Sequence, residues 1–171
     1  ETSSPNTPRE NGLAETMVRV EVEGARCDLT QSGHPPCFWP LAIKHFALSY
    51  NTRQRDGEGS SAYEKRFLEG PFAGELVPFG AYVQFKQQPA KEKAKGTPKM
   101  AGNMIPGVFL GWKQKPGGKC AGKYIVASLK DYVGMDLRVG RKITTQEVDR
   151  IDFAPDNITY PLKDMWMKAN C

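Results

Sequence analysis

Apolar residues recur at helical spacing in the first part of the chain. Set three or four positions apart, they are Ala14, Val18, Val22, Ala25 and Leu29. This interval places side chains on one face of an α-helix. We predict a helix from Leu13 to about Gln31, with Asn11 as its N-cap and Gly33 ending it, after a polar loop over residues 1–11.

The opposite face of this predicted helix carries alternating charges. Its members, again at helical spacing, are Glu15, Arg19, Glu23, Arg26 and Thr30. Acid and base one turn apart stabilise a helix by about 0.2–0.5 kcal/mol per pair. Spacing alone therefore favours a solvated stripe over a binding surface.

Two further helices are predicted before the pattern changes. The first runs from Phe38 or Pro40 to Tyr50, with Pro40 suited to a first turn. A polar loop follows, and the second covers Ala62–Leu68. It places Tyr63 and Phe67 on one side. The first half of the chain is thus predicted to be helical.

From Phe79 onward the pattern alternates with a period of two, which is typical of strands. Together with turn residues around Pro116, it predicts five short strands and a small antiparallel barrel or sandwich. The strands are placed at 79–86, 105–112, 124–127, 137–143 and 147–153, with a Lys/Pro/Gly loop over 87–103. Phe109 and Trp112 are interpreted as core residues. Residues 154–171 are assigned as a tail.

Composition narrows the class of protein. Hydrophobic residues make up 39% of the 171 positions, which is enough for a core, so wholesale disorder is not expected. The 17 glycines and 13 prolines argue against a helical bundle. No apolar run approaches the roughly 18 residues of a membrane span, so we predict a soluble chain with no membrane partner. The first residues lack an initiator Met and a signal pattern, and we expect a piece of a longer protein.

Positive charge is concentrated in one stretch. The chain carries a net +5, yet residues 83–130 hold ten lysines and a single acid, Glu92, and therefore +9. Lysines that neutralise phosphates release condensed counterions, so this asymmetry suits a polyanionic partner. A lysine-rich loop that merely keeps the protein in solution remains the alternative.

The cysteines do not form a recognisable metal motif. Cys27, His34 and Cys37 lie within eleven residues, which invites a zinc interpretation, but no fourth ligand is close in the sequence. Cys27 is placed on the apolar side of the first helix. We expect reduced, buried thiols.

Several short motifs occur in a consistent order. The first is Pro8–Glu15, which has the form P-x-x-N-G-x-x-E. The others, in chain order, are Ala25-Arg26-Cys27, Phe38-Trp39 before Ala42, Tyr63-Glu64, Pro78-Phe79-Gly80 and Gly107-Val108-Phe109-Leu110-Gly111-Trp112. Over about residues 5–153, this series resembles the integrases of copia-type retrotransposons.

The resemblance implies a fold and a domain organisation. The expected class is α+β, with two or three helices from the end of a ribonuclease-H-like core followed by a small antiparallel β-barrel. Residues 1–75 would close the catalytic core and residues 76–153 would form the DNA-binding barrel. Residues 154–171 would be a tail.

The same resemblance implies a chemistry. Integrases join DNA ends with two magnesium ions held by two Asp and one Glu. Glu15 would be the third carboxylate, catalytic and metal-binding, on the first turn of its helix, and Gly12 would permit a close backbone approach. The two Asp partners would lie upstream of Glu1. We therefore expect this fragment alone to perform no strand transfer.

DNA contacts are also implied. Arg19 and Arg26 would hold DNA along the first helix, although Val22 departs from the lysine familiar in the family. Candidate phosphate ligands in the barrel are Lys113, Lys115, Lys119 and Lys123. The expected partners are element ends and target DNA, with a homo-oligomer in the parent Pol polyprotein and a nuclear location.

Two other functions stay open. One is a non-catalytic nucleic-acid or protein interaction module from a decayed or domesticated retroelement. The coding sequence upstream would separate it from an integrase, through two Asp residues at the right spacing and a His/Cys zinc segment. The other is a hydrolase that uses Glu15 with His34 or His45, for which no nucleophile and base are legible.

Overall fold

A computed structural model describes residues 8–53, 56–86 and 104–170 of the chain. The predicted loop over 87–103 lies outside them, as does most of the predicted N-terminal loop. The helices are α1 (Pro8–Ser32), α2 (Trp39–Arg53), α3 (Ala62–Phe67) and α4 (Pro161–Asn170). The strands are β1 (Tyr82–Lys86), β2 (Met104–Gln114), β3 (Cys120–Ser128), β4 (Gln146–Val148) and β5 (Ile151–Asp152). Short 3-10 turns lie at Pro36–Phe38 and Leu129–Tyr132.

Helix α1 is longer than predicted at its start. Its 25 residues span about 37 Å at 1.5 Å per residue. Asn11 lies inside the helix, so its prediction as N-cap is wrong, as is a loop reaching residue 11. The predicted end is confirmed: Gly33 adopts φ +73°, a value that favours glycine, and the His34 amide donates to the Leu29 carbonyl.

Among the described residues, the second half of α1 makes the close packing contacts. Ala25 is buried and Leu29 is half-buried, whereas Ala14 is exposed and Val18 is 60% exposed. The predicted apolar stripe is therefore wrong for its first two members. The packing partners explain the difference. Phe46 of α2 lies against Gly24, whereas Ala14 and Val18 precede this contact along α1 and are exposed in the described part of the chain.

Helices α2 and α3 confirm the sequence predictions, with α2 three residues longer at its end. The N-terminus of α3 carries a capping box: the Glu64 amide donates to Ser61 Oγ, and the Ser61 amide donates to Glu64 Oε2. The Tyr63 and Phe67 rings lie 4.7 Å apart, on one side of the helix as predicted.

The strands form one antiparallel sheet in the order β4-β3-β2-β1-β5. This arrangement confirms the α+β class and the strands predicted at 105–112 and 124–127, whereas the strand predicted at 79–86 begins only at Tyr82. Val83 and Phe85 are buried and alternate with the less buried Tyr82 and Gln84 along β1. One-residue alternation of this kind directs successive side chains to opposite faces.

The sheet is open among the described residues, so the expected barrel is not found there. Its two edges are β4 and β5, which pair with β3 and β1 rather than with each other. The strand predicted over 147–153 is thus broken in two at Asp149 and Arg150. Since only three Cα–Cα steps of 3.8 Å join Val148 to Ile151, the two edges lie within about 11 Å of each other at that point.

The strand predicted over 137–143 is also wrong. The Asp136 side chain accepts a hydrogen bond from the Arg138 amide, and the Asp136 carbonyl accepts one from the Gly140 amide. Gly140 adopts φ +75°. These local hydrogen bonds favour a turn over an extended strand.

The segment assigned as a tail contains helix α4. Pro161 occupies its first position, where the missing amide hydrogen costs nothing. Leu162 is fully buried and anchors the helix. At Gly33 a Cβ atom would lie 2.6 Å from the Lys163 backbone nitrogen, so α4 approaches the end of α1 closely.

Both faces of the sheet are covered, and the helices share its core. On one face Ala25 of α1 and Ala42 of α2 pack with Val108 and Leu110 of β2, together with Leu162. On the other face the cluster contains Leu48, Val83, Phe85, Phe109 and Trp112. Phe109 and Trp112 are buried, which confirms their prediction as core residues.

A shift of register in β2 makes this second cluster possible. The pairing with β3 changes between Phe109 and Gly111, and Gly111 adopts φ +140°. Phe109 and Trp112, three positions apart, therefore reach the same face and place their ring centroids 5.0 Å apart.

Candidate nucleic-acid interface

The exposed half of α1 carries the first two predicted site residues. Glu15 and Arg19 are exposed, one helical turn apart on the same stripe. Neither side chain has an ion pair or hydrogen bond to another residue in the described part of the chain. The resemblance implies that Glu15 lies on the first turn of its helix. It lies on the third turn, because α1 begins at Pro8, the first residue of the P-x-x-N-G-x-x-E motif. Both side chains are therefore accessible to a partner.

The expected role of Gly12 is not supported. Gly12 lies within α1, and no described atom is found within 4 Å of the position that its Cβ would occupy. The Thr16 hydroxyl donates to the Gly12 carbonyl at 2.7 Å, a bond internal to the helix. No close backbone approach occurs at this glycine within residues 8–53, 56–86 and 104–170.

The described residues do not provide a magnesium site. Across them, no group of three His, Cys, Asp or Glu side chains is placed so that it could hold a metal ion. Glu15 would be a single carboxylate ligand, whereas magnesium takes several oxygen ligands in octahedral geometry. The residues present do not fit a two-metal centre, and we derive no catalytic step from one.

Arg26 lies further along the stripe and has a partner. Its guanidinium donates to Glu23 Oε1 at 2.7 Å, between side chains that are more than half exposed. An exposed pair of this kind contributes about 0.3–0.5 kcal/mol. The predicted solvated stripe is confirmed at these two positions, and Arg26 can exchange its partner at little cost.

The β2–β3 hairpin brings together the four lysines predicted as phosphate ligands. Three of them have carboxylate partners: Lys113 with Glu147 at 2.6 Å, Lys119 with Glu69 at 2.5 Å and Lys123 with Asp149 at 3.8 Å. Lys115 is exposed and has no ion pair among the described residues. The acids come from distant parts of the chain, so the sequence could not reveal this neutralisation.

The fold adds two basic residues that sequence reasoning missed. The Gln114 side-chain amide donates to the Lys44 carbonyl at 3.3 Å, which places α2 beside the hairpin. Arg66 of α3 lines a small cleft of about 170 Å³ with Gln114 and Gly117. Lys44 and Arg66 are both exposed. Their positions follow from tertiary packing alone, for which the sequence contains no signal.

The histidines serve buried hydrogen-bond networks. His34 Nδ1 lies 2.9 Å from Ser32 Oγ, and its Nε2 lies 3.0 Å from the Tyr132 hydroxyl. His45 Nδ1 lies 2.7 Å from Asp28 Oδ2, and its Nε2 donates to the Val77 carbonyl at 2.9 Å. Neither ring is available to act with the exposed Glu15, which argues against the hydrolase hypothesis.

The thiols differ from their prediction. Cys27 and Cys37 are exposed and Cys120 is half-buried, and none of the three forms a disulfide with another described residue. The expectation that they are buried is wrong for the first two. Cys27 lies between the charged stripe and the buried side of α1, next to exposed Arg26.

Comparisons with known proteins identify no relative. No protein-family model matches the chain, and neither a curated protein nor a solved structure matches it. Among the described helices, none combines the length and the apolar character that crossing a membrane requires.

Proposed function

We propose that this chain is part of a copia-type retrotransposon integrase and that it binds DNA through phosphate contacts. The observation that supports this most directly is the first half of α1, where Glu15 and Arg19 are exposed and unpaired within the described residues. Because an unpaired arginine needs no partner exchange before it meets a phosphate, Arg19 is the strongest contact on this helix.

The hairpin lysines supply the second contact surface. Lys115 meets phosphate directly, whereas Lys113 and Lys119 first exchange the carboxylates that now hold them. Such exposed ion pairs contribute about 0–1 kcal/mol, so a strand of phosphates displaces them. These contacts position the protein on DNA without specifying a sequence.

Strand transfer belongs, in this proposal, to the intact parent. Glu15 would join two upstream Asp residues in holding magnesium there, and the parent would act as a multimer in the nucleus. The described residues do not themselves provide that centre. The alternative is a non-catalytic nucleic-acid or protein interaction module from a decayed or domesticated retroelement. The carboxylates beside three of the four hairpin lysines favour its protein-binding form, because they lower the positive charge there.

The substitution Arg19→Glu tests the α1 contact. We expect it to weaken binding of a blunt DNA duplex by about tenfold at low salt, because it replaces a charge-assisted hydrogen bond with repulsion. Fluorescence anisotropy of a labelled duplex measures the affinity. Circular dichroism checks the fold: residue 19 is exposed, so we expect at most the small loss of helix that like charges at Glu15 and Glu23 cause.

Arg138→Glu is the matched control. Arg138 is also exposed and already faces Asp136 at 3.7 Å, on a turn that lines a cleft with Met165 and Trp166 of α4 rather than with the first half of α1. Both variants change the net charge by the same amount, so a difference between them reports a local contact. Equal affinities of the two variants across a salt series would remove Arg19 from the interface.

A further inference from the structure

A basic groove with an aromatic side chain lies between the end of α1 and helix α4. Its volume is about 570 Å³, within the range of about 300–1,000 Å³ that is typical of ligand sites. Arg26 and Thr30 line it from α1, and Lys163 and Trp166 line it from α4. Among the described residues, its lining includes two cations and no carboxylate. The groove is therefore suited to an anion.

The position of Trp166 indicates a second property of the ligand, besides its negative charge. Trp166 is 39% exposed, and the Lys163 ammonium lies 5.6 Å from its ring centroid. Lys163 Nζ also donates to the Thr30 carbonyl at 3.3 Å, so the ammonium lies between the ring and α1. A ligand that places a phosphate near Lys163 and a flat ring on Trp166 would satisfy both groups at once.

The groove is built on rigid elements. Gly33 at the end of α1 contacts the backbone of Lys163 closely, and the neighbouring Leu162 is fully buried. Trp166 and Lys163 are one helical turn apart on α4, so their relative positions are fixed by the helix. The helix therefore fixes the backbone positions of both residues, which lowers the cost of ordering them on binding.

We propose that this groove binds one unstacked nucleotide of single-stranded DNA, with the base on Trp166 and its phosphate between Lys163 and Arg26. Cationic side chains beside an exposed aromatic ring are the combination by which proteins hold single strands, because every base has a π-face. Lys163 exchanges its contact with the ring for the phosphate, and Arg26 exchanges Glu23. The inference rests on the proposed DNA binding and adds a preference for unpaired nucleotides.

Tryptophan fluorescence provides a direct test. The chain has three tryptophans, of which Trp112 is buried and Trp39 and Trp166 are exposed. In a Trp39→Phe background, an oligothymidylate of about ten nucleotides should quench the exposed emission by stacking. The same titration with Trp166→Phe added should show no quenching. Absence of quenching in the first protein would overturn the proposal.

Affinity measurements give a second readout. Trp166→Ala should weaken binding of the oligothymidylate about fivefold or more, whereas Trp39→Ala, which removes an exposed tryptophan outside the groove, should not. Lys163→Ala should lower the slope of log affinity against log salt by about 0.7, the value for one phosphate of a single strand. Lys168→Ala on the same helix is its control. Equal affinities of the Trp166→Ala and Trp39→Ala variants would contradict the assignment.

Two further ligands separate the possible outcomes. Thymidine monophosphate supplies the same base and phosphate without a strand. Tighter binding of the oligothymidylate than of the monophosphate would support a site for single strands. Equal affinities for the two ligands would contradict the proposal and indicate a site for free nucleotides. A blunt duplex reports the proposed function separately. Duplex binding that depends on Arg19, with no quenching by the oligothymidylate, would remove this inference and leave the proposed function standing.

Discussion

His34 shows how a single side chain links two distant parts of the molecule. Its ring lies 5.0 Å from that of Phe38, 5.1 Å from Phe79 and 5.5 Å from Tyr132, all in edge-to-face geometry. Burial lowers the pKa of His34 from its ordinary 6.5 to about 3. Burial also raises the pKa of the Tyr132 hydroxyl above its usual range. Both groups are therefore neutral at physiological pH, and their hydrogen bond joins α1 to the segment after β3.

We expect this buried imidazole to make the free energy of unfolding depend on pH. Between pH 6.5 and about 3 the unfolded chain binds a proton that native His34 does not, so stability falls as the pH falls. The loss is at most about 1.4 kcal/mol per pH unit. Urea unfolding at about pH 7.5, 6 and 5 measures it.

His34→Gln is the variant that isolates this effect. Glutamine keeps a polar amide near Tyr132 but takes up no proton, so the variant should be less stable at pH 7.5 and less sensitive to acid. The other histidine of the chain, His45, is unchanged in both proteins. The same pH slope in wild type and variant would contradict the role assigned to His34.

At the scale of elements, the sequence correctly predicts those helices and strands whose bounds are set by the local pattern of apolar and polar residues. Helices α2 and α3 and strand β1 have clear periodicity and were predicted close to their observed bounds. The prediction of a strand at 137–143 is wrong because the hydrogen bonds of the turn that begins at Asp136 outweigh strand propensity. Helix α4 was not predicted although its pattern is present: Pro161 starts it, and apolar residues recur at helical spacing at Leu162, Met165, Trp166 and Ala169, of which Leu162 is buried.

The contact between α1 and α4 depends on one glycine. Gly33→Ala would place a Cβ atom 2.6 Å from the Lys163 nitrogen and force an alanine into φ +73°. Since backbone cannot move as a flexible side chain does, we expect α4 to separate from α1, with a loss of more than about 1 kcal/mol of stability. Limited proteolysis within α4 and thermal unfolding measure the two effects.

Gly12→Ala is the control for this substitution. Gly12 lies inside α1 with open space around it, so alanine there should stabilise the helix by about 0.8–1.0 kcal/mol. If both variants had the same melting temperature and α4 stayed resistant to protease, the close contact at Gly33 would not hold α4 in place.

At the scale of the whole molecule, packing decides what the local pattern leaves open. The sequence predicts an exposed charged stripe and basic hairpin, and both are found on the surface. It does not reveal that Glu69, Glu147 and Asp149 lie beside three of the hairpin lysines, because those contacts join residues far apart in the chain. The first half of α1 is predicted to be amphipathic, yet its apolar residues Ala14 and Val18 are exposed in the described part of the chain.

The charge of the whole chain predicts salt-dependent binding. We expect the affinity for duplex DNA to fall with a log–log salt slope of several units, since each neutralised phosphate contributes about 0.9. Lys115→Ala should lower that slope by about one, because Lys115 is exposed and without an ion pair in the described residues. Lys142→Ala, at another exposed lysine, serves as the comparison. A slope near zero would leave the hairpin lysines a role in solubility only.

The two edge strands of the sheet also limit how copies of this protein associate. Strands β4 and β5 comprise three and two residues, so each outer rim offers a second molecule few backbone donors and acceptors. Short rims of this kind discourage the strand-by-strand growth that leads to fibrils. We expect the replacement of Asp149 and Arg150 with β-branched residues to lengthen the edge strands and to promote aggregation through them.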